Sequence, residues 1–167
     1  MKPGDHPEFF SRPPPLGRSR QSTIRLDAQG CFWHDGARVE HAGMARAFAS
    51  WIGRHPDDGR YILNNGYDWT YFEVEDVPYF VQTVALRGDE PPVITLSDGS
   101  EEPLDGRALW LGGQHALYLR VKGGAYPARF TPQAQLALEP LLDEDASGIT
   151  LRVGSERFLV RGAGVEP

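Results

Sequence analysis

Two windows of this sequence carry the same spacing of apolar side chains, and that spacing limits the folds open to the chain. Met44, Ala47, Phe48, Trp51 and Ile52 stand at i, i+3, i+4, i+7 and i+8, the stripe that one face of an α-helix presents to a core. Ala134, Ala137, Leu138, Leu141 and Leu142 repeat the five offsets 90 residues further on. Thr131 is placed to cap the second helix and Pro132 to open it, because the N–H that proline lacks has no acceptor inside a helix at that position. Pro140 falls within the second stripe and should kink or end its helix near Glu139, and Pro56 helps to end the first.

Around both windows the chain runs in short alternating segments between turn formers, the pattern of antiparallel strands. Ile24 and Leu26 precede a turn at 27–30, Phe32 and Trp33 precede Asp35-Gly36, and Asn64-Asn65-Gly66 separates a strand at 61–63 from one at 69–74. Strands are expected at 79–86 and 93–96, then at 117–119 and 126–130 around Gly123-Gly124, and finally at 149–153 and 157–160. The reading is an α+β fold of two β-β-α-β-β-like repeats, a mostly antiparallel sheet with two principal helices packed on it. The expected organisation is a Pro-rich N-terminal arm at 1–22, an N-terminal half at 23–98, a C-terminal half at 99–163 and a tail at 164–167. The polar connection at 97–106 is the expected mid-chain boundary.

The chain of 167 residues can bury a core without staples. Its formal net charge of −6 repels a phosphate backbone, so no nucleic-acid partner is expected. One cysteine, Cys31, allows no internal disulfide and fits a reducing compartment. No signal peptide or apolar membrane span is visible, and the expected location is cytoplasmic. The five histidines contain no pair at i+2 or i+4 and have no cysteine partner beyond Cys31, and no metal and no cofactor is expected.

Candidate site residues come from strand alternation. Trp69, Tyr71, Glu73 and Glu75 share one face if 69–76 is a single strand. That face is aromatic at one end and acidic at the other, with carboxylates roughly 7 Å apart. It suits a cationic or sugar-like ligand, and equally a half-buried strand with a solvated end. Trp33 and His34 lie beside Asp35, but neighbours on a strand point to opposite faces, so His34 and Asp35 should not form an oriented pair. His115 follows Gly112-Gly113-Gln114 in a flexible polar loop. The ligand-binding candidates are therefore Trp33, His34, Trp69, Tyr71, Glu73, Glu75 and His115, with no catalytic residue assigned.

The order of these motifs resembles the domain of unknown function family 1285, a set of uncharacterised bacterial proteins. The segments that carry the resemblance are 27–36 with its Gly-x-Phe-Trp, the helix through Phe48, Val74-Glu75-Asp76-Val77-Pro78-Tyr79-Phe80, and Leu119-Arg120-Val121-Lys122-Gly123-Gly124. The resemblance implies a cytoplasmic α+β protein with repeated units and supplies no activity. The expected function is noncatalytic small-ligand binding or regulation, with an unknown small molecule or protein as partner and a homodimer formed through exposed sheet edges or aromatic strands. The alternatives are a hydrolase using Glu73 or Glu75 with a histidine such as His115, and a protein interaction module using the Pro-rich arm.

Overall fold

The computed structural model describes residues 1–162, so the tail expected at 164–167 lies outside the described residues. The chain divides after Pro78 into two units, Met1–Pro78 and Tyr79–Pro167. The polar connection at 97–106 is therefore not the boundary. It lies inside the second unit, where an Asp98-Gly99 turn joins two strands that pair directly.

The first unit contains β1 (Arg25–Leu26), β2 (Phe32–His34), β3 (Ala37–Arg38), α1 (Ala42–Ser50), β4 (Ile52–Arg54), β5 (Tyr61–Asn64), β6 (Trp69–Tyr71) and β7 (Glu73–Val74). β2 and β3 are joined by Asp35 and Gly36, both at positive φ (51° and 77°), the two-residue loop whose twist suits a hairpin. One sheet has the order β3-β2-β1-β7 and the other is the antiparallel meander β4-β5-β6. β1 and β7 run parallel, with Arg25 opposite Glu73 and Leu26 opposite Val74. The stretch 69–74 is thus not one strand: it breaks at the buried Phe72 and continues in a different sheet.

α1 starts at His41, whose Nδ1 accepts the Met44 N–H at 3.2 Å, and it stops sooner than the stripe implies. Trp51 caps its C-terminus, and Ile52 opens β4 opposite Leu63. Ile52 is still buried, but its backbone is satisfied by a strand. Phe48 meets Phe32 of β2 edge-on at 5.5 Å, which lays the helix on the inner face of the first sheet. Met44, expected in the core, is 50% exposed.

The N-terminal arm lies along its own unit. Phe9 is buried in a cluster with Ile62 and Trp69, Gly4 N–H donates to Gly66 O at 2.8 Å, and Arg20 clasps the arm to the turn before β6. One Arg20 terminal nitrogen donates to the Asp68 carboxylate and the Trp69 carbonyl, the other to the carbonyls of Arg12 and Pro13.

The second unit contains β8 (Tyr79–Arg87), β9 (Glu90–Leu96), β10 (Glu101–Pro103), β11 (Leu109–Leu111), β12 (Leu117–Val121), β13 (Tyr126–Phe130), α2 (Pro132–Leu138), β14 (Leu142–Asp145), β15 (Gly148–Val153) and β16 (Glu156–Leu159). Six strands form one sheet in the order β10-β9-β8-β13-β12-β11, antiparallel except for the parallel pair β8–β13. The last three form a meander. α2 packs on β8 and has the expected cap, Thr131 Oγ accepting the Ala134 N–H at 3.2 Å. It ends at Leu138, two residues before Pro140, and Leu142 opens β14 opposite Leu151.

In each unit one helix is followed by a three-stranded antiparallel meander, while the strands before the helices are organised differently. The β11 strand had no counterpart in the sequence reading. Between the turns, Lys122 Nζ donates to the Asp98 carboxylate at 2.8 Å and the Lys122 N–H is held by Glu102. Burial alone would raise the Asp98 carboxyl, but Lys122 and Ser100 outweigh it and hold it below the ordinary aspartate range.

Two outcomes are expected. Leu138→Ala, at a fully buried position, should cost about 3 kcal/mol in chemical denaturation, whereas Met44→Ala should stay within about 0.5 kcal/mol. Lys122→Met should cost about 2 kcal/mol at neutral pH by leaving Asp98 short of a partner. Because the folded Asp98 titrates below its ordinary value of 3.8, that difference should hold above this value and close as the pH falls beneath it.

Candidate functional site

Trp69 and Tyr71 project from one face of β6, as alternation requires, with ring centroids 5.1 Å apart at 89°. A residue that the sequence reading passed over completes their cluster: His55, 6% exposed, whose ring lies 4.9 Å from Trp69, 5.7 Å from Tyr71 and 5.6 Å from Phe10. Its Nδ1 accepts the Asp57 N–H at 3.1 Å, and its backbone closes the 55–60 loop through Arg60 O and the Gly59 N–H. The signal available was local: His55 precedes Asp57 and Asp58 in a Pro- and Gly-bounded loop, a setting for side-chain-to-backbone bonds.

The faces of Trp69 and Tyr71, expected to receive a cation, each carry an arginine of the chain itself, and so does Trp33. Arg20 lies 4.4 Å from the Trp69 ring centre, Arg60 3.8 Å from Tyr71 and Arg25 4.6 Å from Trp33. Cation–π attraction is therefore satisfied internally on one face of each ring. The Tyr71 hydroxyl donates to Asp58 at 2.6 Å. That bond holds the Asp58 carboxyl below its ordinary range and pushes the Tyr71 phenol up.

Glu73 and Glu75 do not join this cluster as an extension of its strand. Glu73 is exposed on β7, in the row that runs Arg38, Trp33, Arg25, Glu73 across the other sheet. Glu75 accepts the Ala28 N–H at 3.1 Å, which fastens the turn at 27–30. Trp33 is fixed by its indole N–H donating to Asp27 at 2.8 Å. Burial alone would raise the Asp27 carboxyl, but Trp33, the Cys31 and Gln29 N–H groups and Arg25 together lower it. His34 and Asp35 do approach, Nε2 to Oδ2 3.5 Å, contrary to the strand argument. Asp35 sits at φ 51° in the turn, so alternation no longer governs it. Both side chains are mostly exposed, and such a pair is worth little.

His115 lies in the second unit, on a cleft of about 640 Å³. Leu117, Phe130 and Leu142 form an apolar wall, and His115, Arg129 and Glu139 bring polar groups to it. The loop that bears His115 is strained. Gln114 and His115 both adopt left-handed backbone, φ 56° and 60°, a conformation that costs a residue with a side chain about 1 kcal/mol or more. Gln135 of α2 holds this turn from both ends: its amide donates to His115 O at 2.8 Å and its Oε1 accepts the Leu117 N–H at 3.1 Å. Gly112 is required just before it, since a Cβ there would meet the Tyr118 ring at 2.4 Å. His115 makes no ion pair with a carboxylate among the described residues. Among the same residues no group of three or more His, Cys, Asp and Glu side chains is arranged to hold a metal ion, and no helix is long and apolar enough to cross a membrane.

Asp58→Asn removes the carboxylate charge and leaves only a neutral acceptor for the Tyr71 hydroxyl, which weakens what favours the protonated phenol. Alkaline titration followed by tyrosine absorbance should then show Tyr71 ionising at a lower pH than in the parent chain.

No known family's sequence profile matches the chain, and no curated protein matches it in sequence. Solved structures do match. A DUF1285 family protein from Silicibacter pomeroyi DSS-3 superposes with a TM-score of 0.66 at 18% identity, over 90% of this chain and 84% of the other. A DUF1285 family protein from Shewanella baltica OS155 gives 0.57 at 19% identity, over 73% and 94%. This chain has the fold of the DUF1285 family proteins that its motif order resembles.

Proposed function

We propose that this chain is a DUF1285 family member that binds a small amphipathic molecule without transforming it, in a regulatory or carrier role, at the His115 cleft of its second unit. The observation that carries the reading is the strained loop. Two consecutive side-chain-bearing residues in left-handed backbone, held by both ends of the Gln135 amide, store strain where a cleft of ligand size opens. Such strain is retained where function needs the side chain. The mix of an apolar wall with His115, Arg129 and Glu139 suits a ligand with one greasy and one polar end.

The competing readings have less behind them. A hydrolase built on Glu73 or Glu75 would use one exposed carboxylate and one already engaged with a backbone N–H. An interaction module built on the arm would have to extract the buried Phe9 from its own unit. Two of the sheet edges a homodimer could use carry Glu101, Glu102 and Pro103 on β10, and Asp143, Glu144 and Asp145 on β14, charges and a proline of the kind that keep edges apart.

The test couples stability to binding. Replacing His115 by glycine relieves left-handed strain, so His115→Gly should raise the melting temperature by about 2–4 °C. A thermal-shift screen of small amphipathic metabolites should yield compounds that stabilise the parent chain, by about 2.7 kcal/mol at a hundred times the dissociation constant. His115→Gly should lose most of that ligand-induced shift. Hits whose shifts survive the substitution unchanged would remove the cleft from the reading.

A further inference from the structure

Three consecutive prolines, Pro13, Pro14 and Pro15, fix φ at their own positions and push the residue before each of them towards extended geometry. Arg12 accordingly adopts φ −65° and ψ 138°, within the polyproline II region. The run ends in a β-turn that the Arg18 N–H closes on Pro15 O at 2.9 Å, with Gly17 at φ 77° in its third position. Behind it Arg20 holds the carbonyls of Arg12 and Pro13 at 3.1 and 3.2 Å. The segment between the arm's two anchors, buried Phe9 and the Arg20 clasp, is therefore a stiff loop. Leu16 stands at its corner, fully exposed. Arg12 and Arg18 flank it, also exposed, and neither guanidinium has a hydrogen-bond or ion-pair partner among the described residues.

The second unit carries the complementary chemistry. Its cleft of about 640 Å³ has Leu117, Phe130 and Leu142 on the apolar wall, and Leu136 of α2, itself 63% exposed, lines it too. Glu139 and Glu144 are exposed on the same cleft, and neither carboxylate has a hydrogen-bond or ion-pair partner among the described residues. Asp143 between them is taken by Arg152 at 3.0 Å, and the arginine of the cleft, Arg129, lies 5.7 Å from the Tyr118 ring centre. An apolar hollow with two free carboxylates matches an apolar tip with two free guanidinium groups.

We propose that Leu16 of one copy of this chain docks in the His115 cleft of a second copy, against Leu136, with Arg12 and Arg18 answering Glu139 and Glu144. The inference rests on the reading of that cleft as a binding site and gives it a second occupant, one that competes with the small molecule. A stiff loop loses little freedom on docking, which lowers the cost of association. One apolar side chain entering a pocket on the next molecule can carry such a contact, and the charge pairs fix its orientation. Phe9 stays buried throughout, because the loop lies between the anchors. The contact is small and belongs with weak, transient encounters.

Sedimentation equilibrium of the full chain should show self-association with a dissociation constant of about 0.1–1 mM, weakening as salt is raised. Leu16→Gln and Leu136→Gln change side chains that are exposed in the single copy, and each should weaken the association about tenfold. Mixed in equal amounts, the first variant supplies an intact cleft and the second an intact tip. The mixture should form one-to-one pairs more strongly than either variant associates alone. A parent chain that stays monomeric at about 1 mM, association untouched by either substitution, or a mixture no stronger than its components would each overturn the contact. The Leu16→Gln chain keeps the whole lining of the cleft, so small molecules that stabilise it while the parent chain stays monomeric would sink this contact and leave the small-ligand reading in place.

Discussion

Among the described residues each unit has one α-helix, and both helices are short. α1 has nine residues and α2 seven, about 14 and 10 Å of helix, and in the second unit the nine residues of β8, on which α2 packs, extend for about 30 Å. The helices stop for local reasons, Trp51 capping the first and Pro140 closing off the second. What they leave bare must be covered by something else. In the first unit the arm supplies Phe9 and the 18–22 segment. In the second, β14 turns back from the end of α2. Two cavities lie against a helix, one lined by Phe48 and Trp51 and the other by Pro132, Gln135 and Leu136.

Arginine does much of the remaining work in the first unit. Arg20, Arg25, Arg54 and Arg60 each lie over an aromatic ring, at 4.4, 4.6, 4.5 and 3.8 Å. This placement hides apolar ring surface while leaving polar edges for carbonyls and carboxylates. It also changes what the aromatic residues are available for. Rings that look from the sequence like a platform for a foreign cation already hold a native one. Arg20 differs from the others in that its terminal nitrogens also clasp the arm to the turn before β6.

Strain marks the second unit in a complementary way. At Gln114 and His115 two consecutive residues with side chains adopt left-handed backbone, and Gln135, 20 positions beyond His115, holds the turn. Glycine would fit that backbone with less strain. The presence of two side chains there, on a cleft wall, is the local disagreement with propensity that functional positions show.

Periodicity was enough to locate both helices, and local residue types the second helix's cap at Thr131 and start at Pro132, its stop near Pro140, and most of the hairpins around Asp35-Gly36, Asn64-Asn65-Gly66 and Gly123-Gly124. These depend on neighbours in the chain, on backbone donors within one turn and on φ preferences of single residues. Pairing partners depend on distant segments, and there the sequence was silent. It could not say that Phe72 would end one sheet and Glu73 enter another, that Ile52 and Leu142 would be buried by strands instead of helices, or that β8 would pair in parallel with β13. The candidate site suffered most, because two-residue alternation assigns a face only while a strand continues. His55 among its aromatic neighbours, the arginines on Trp33, Trp69 and Tyr71, and the hold of Gln135 on the His115 turn were all decided by tertiary structure, which alone brings side chains many positions apart within a few ångströms of each other.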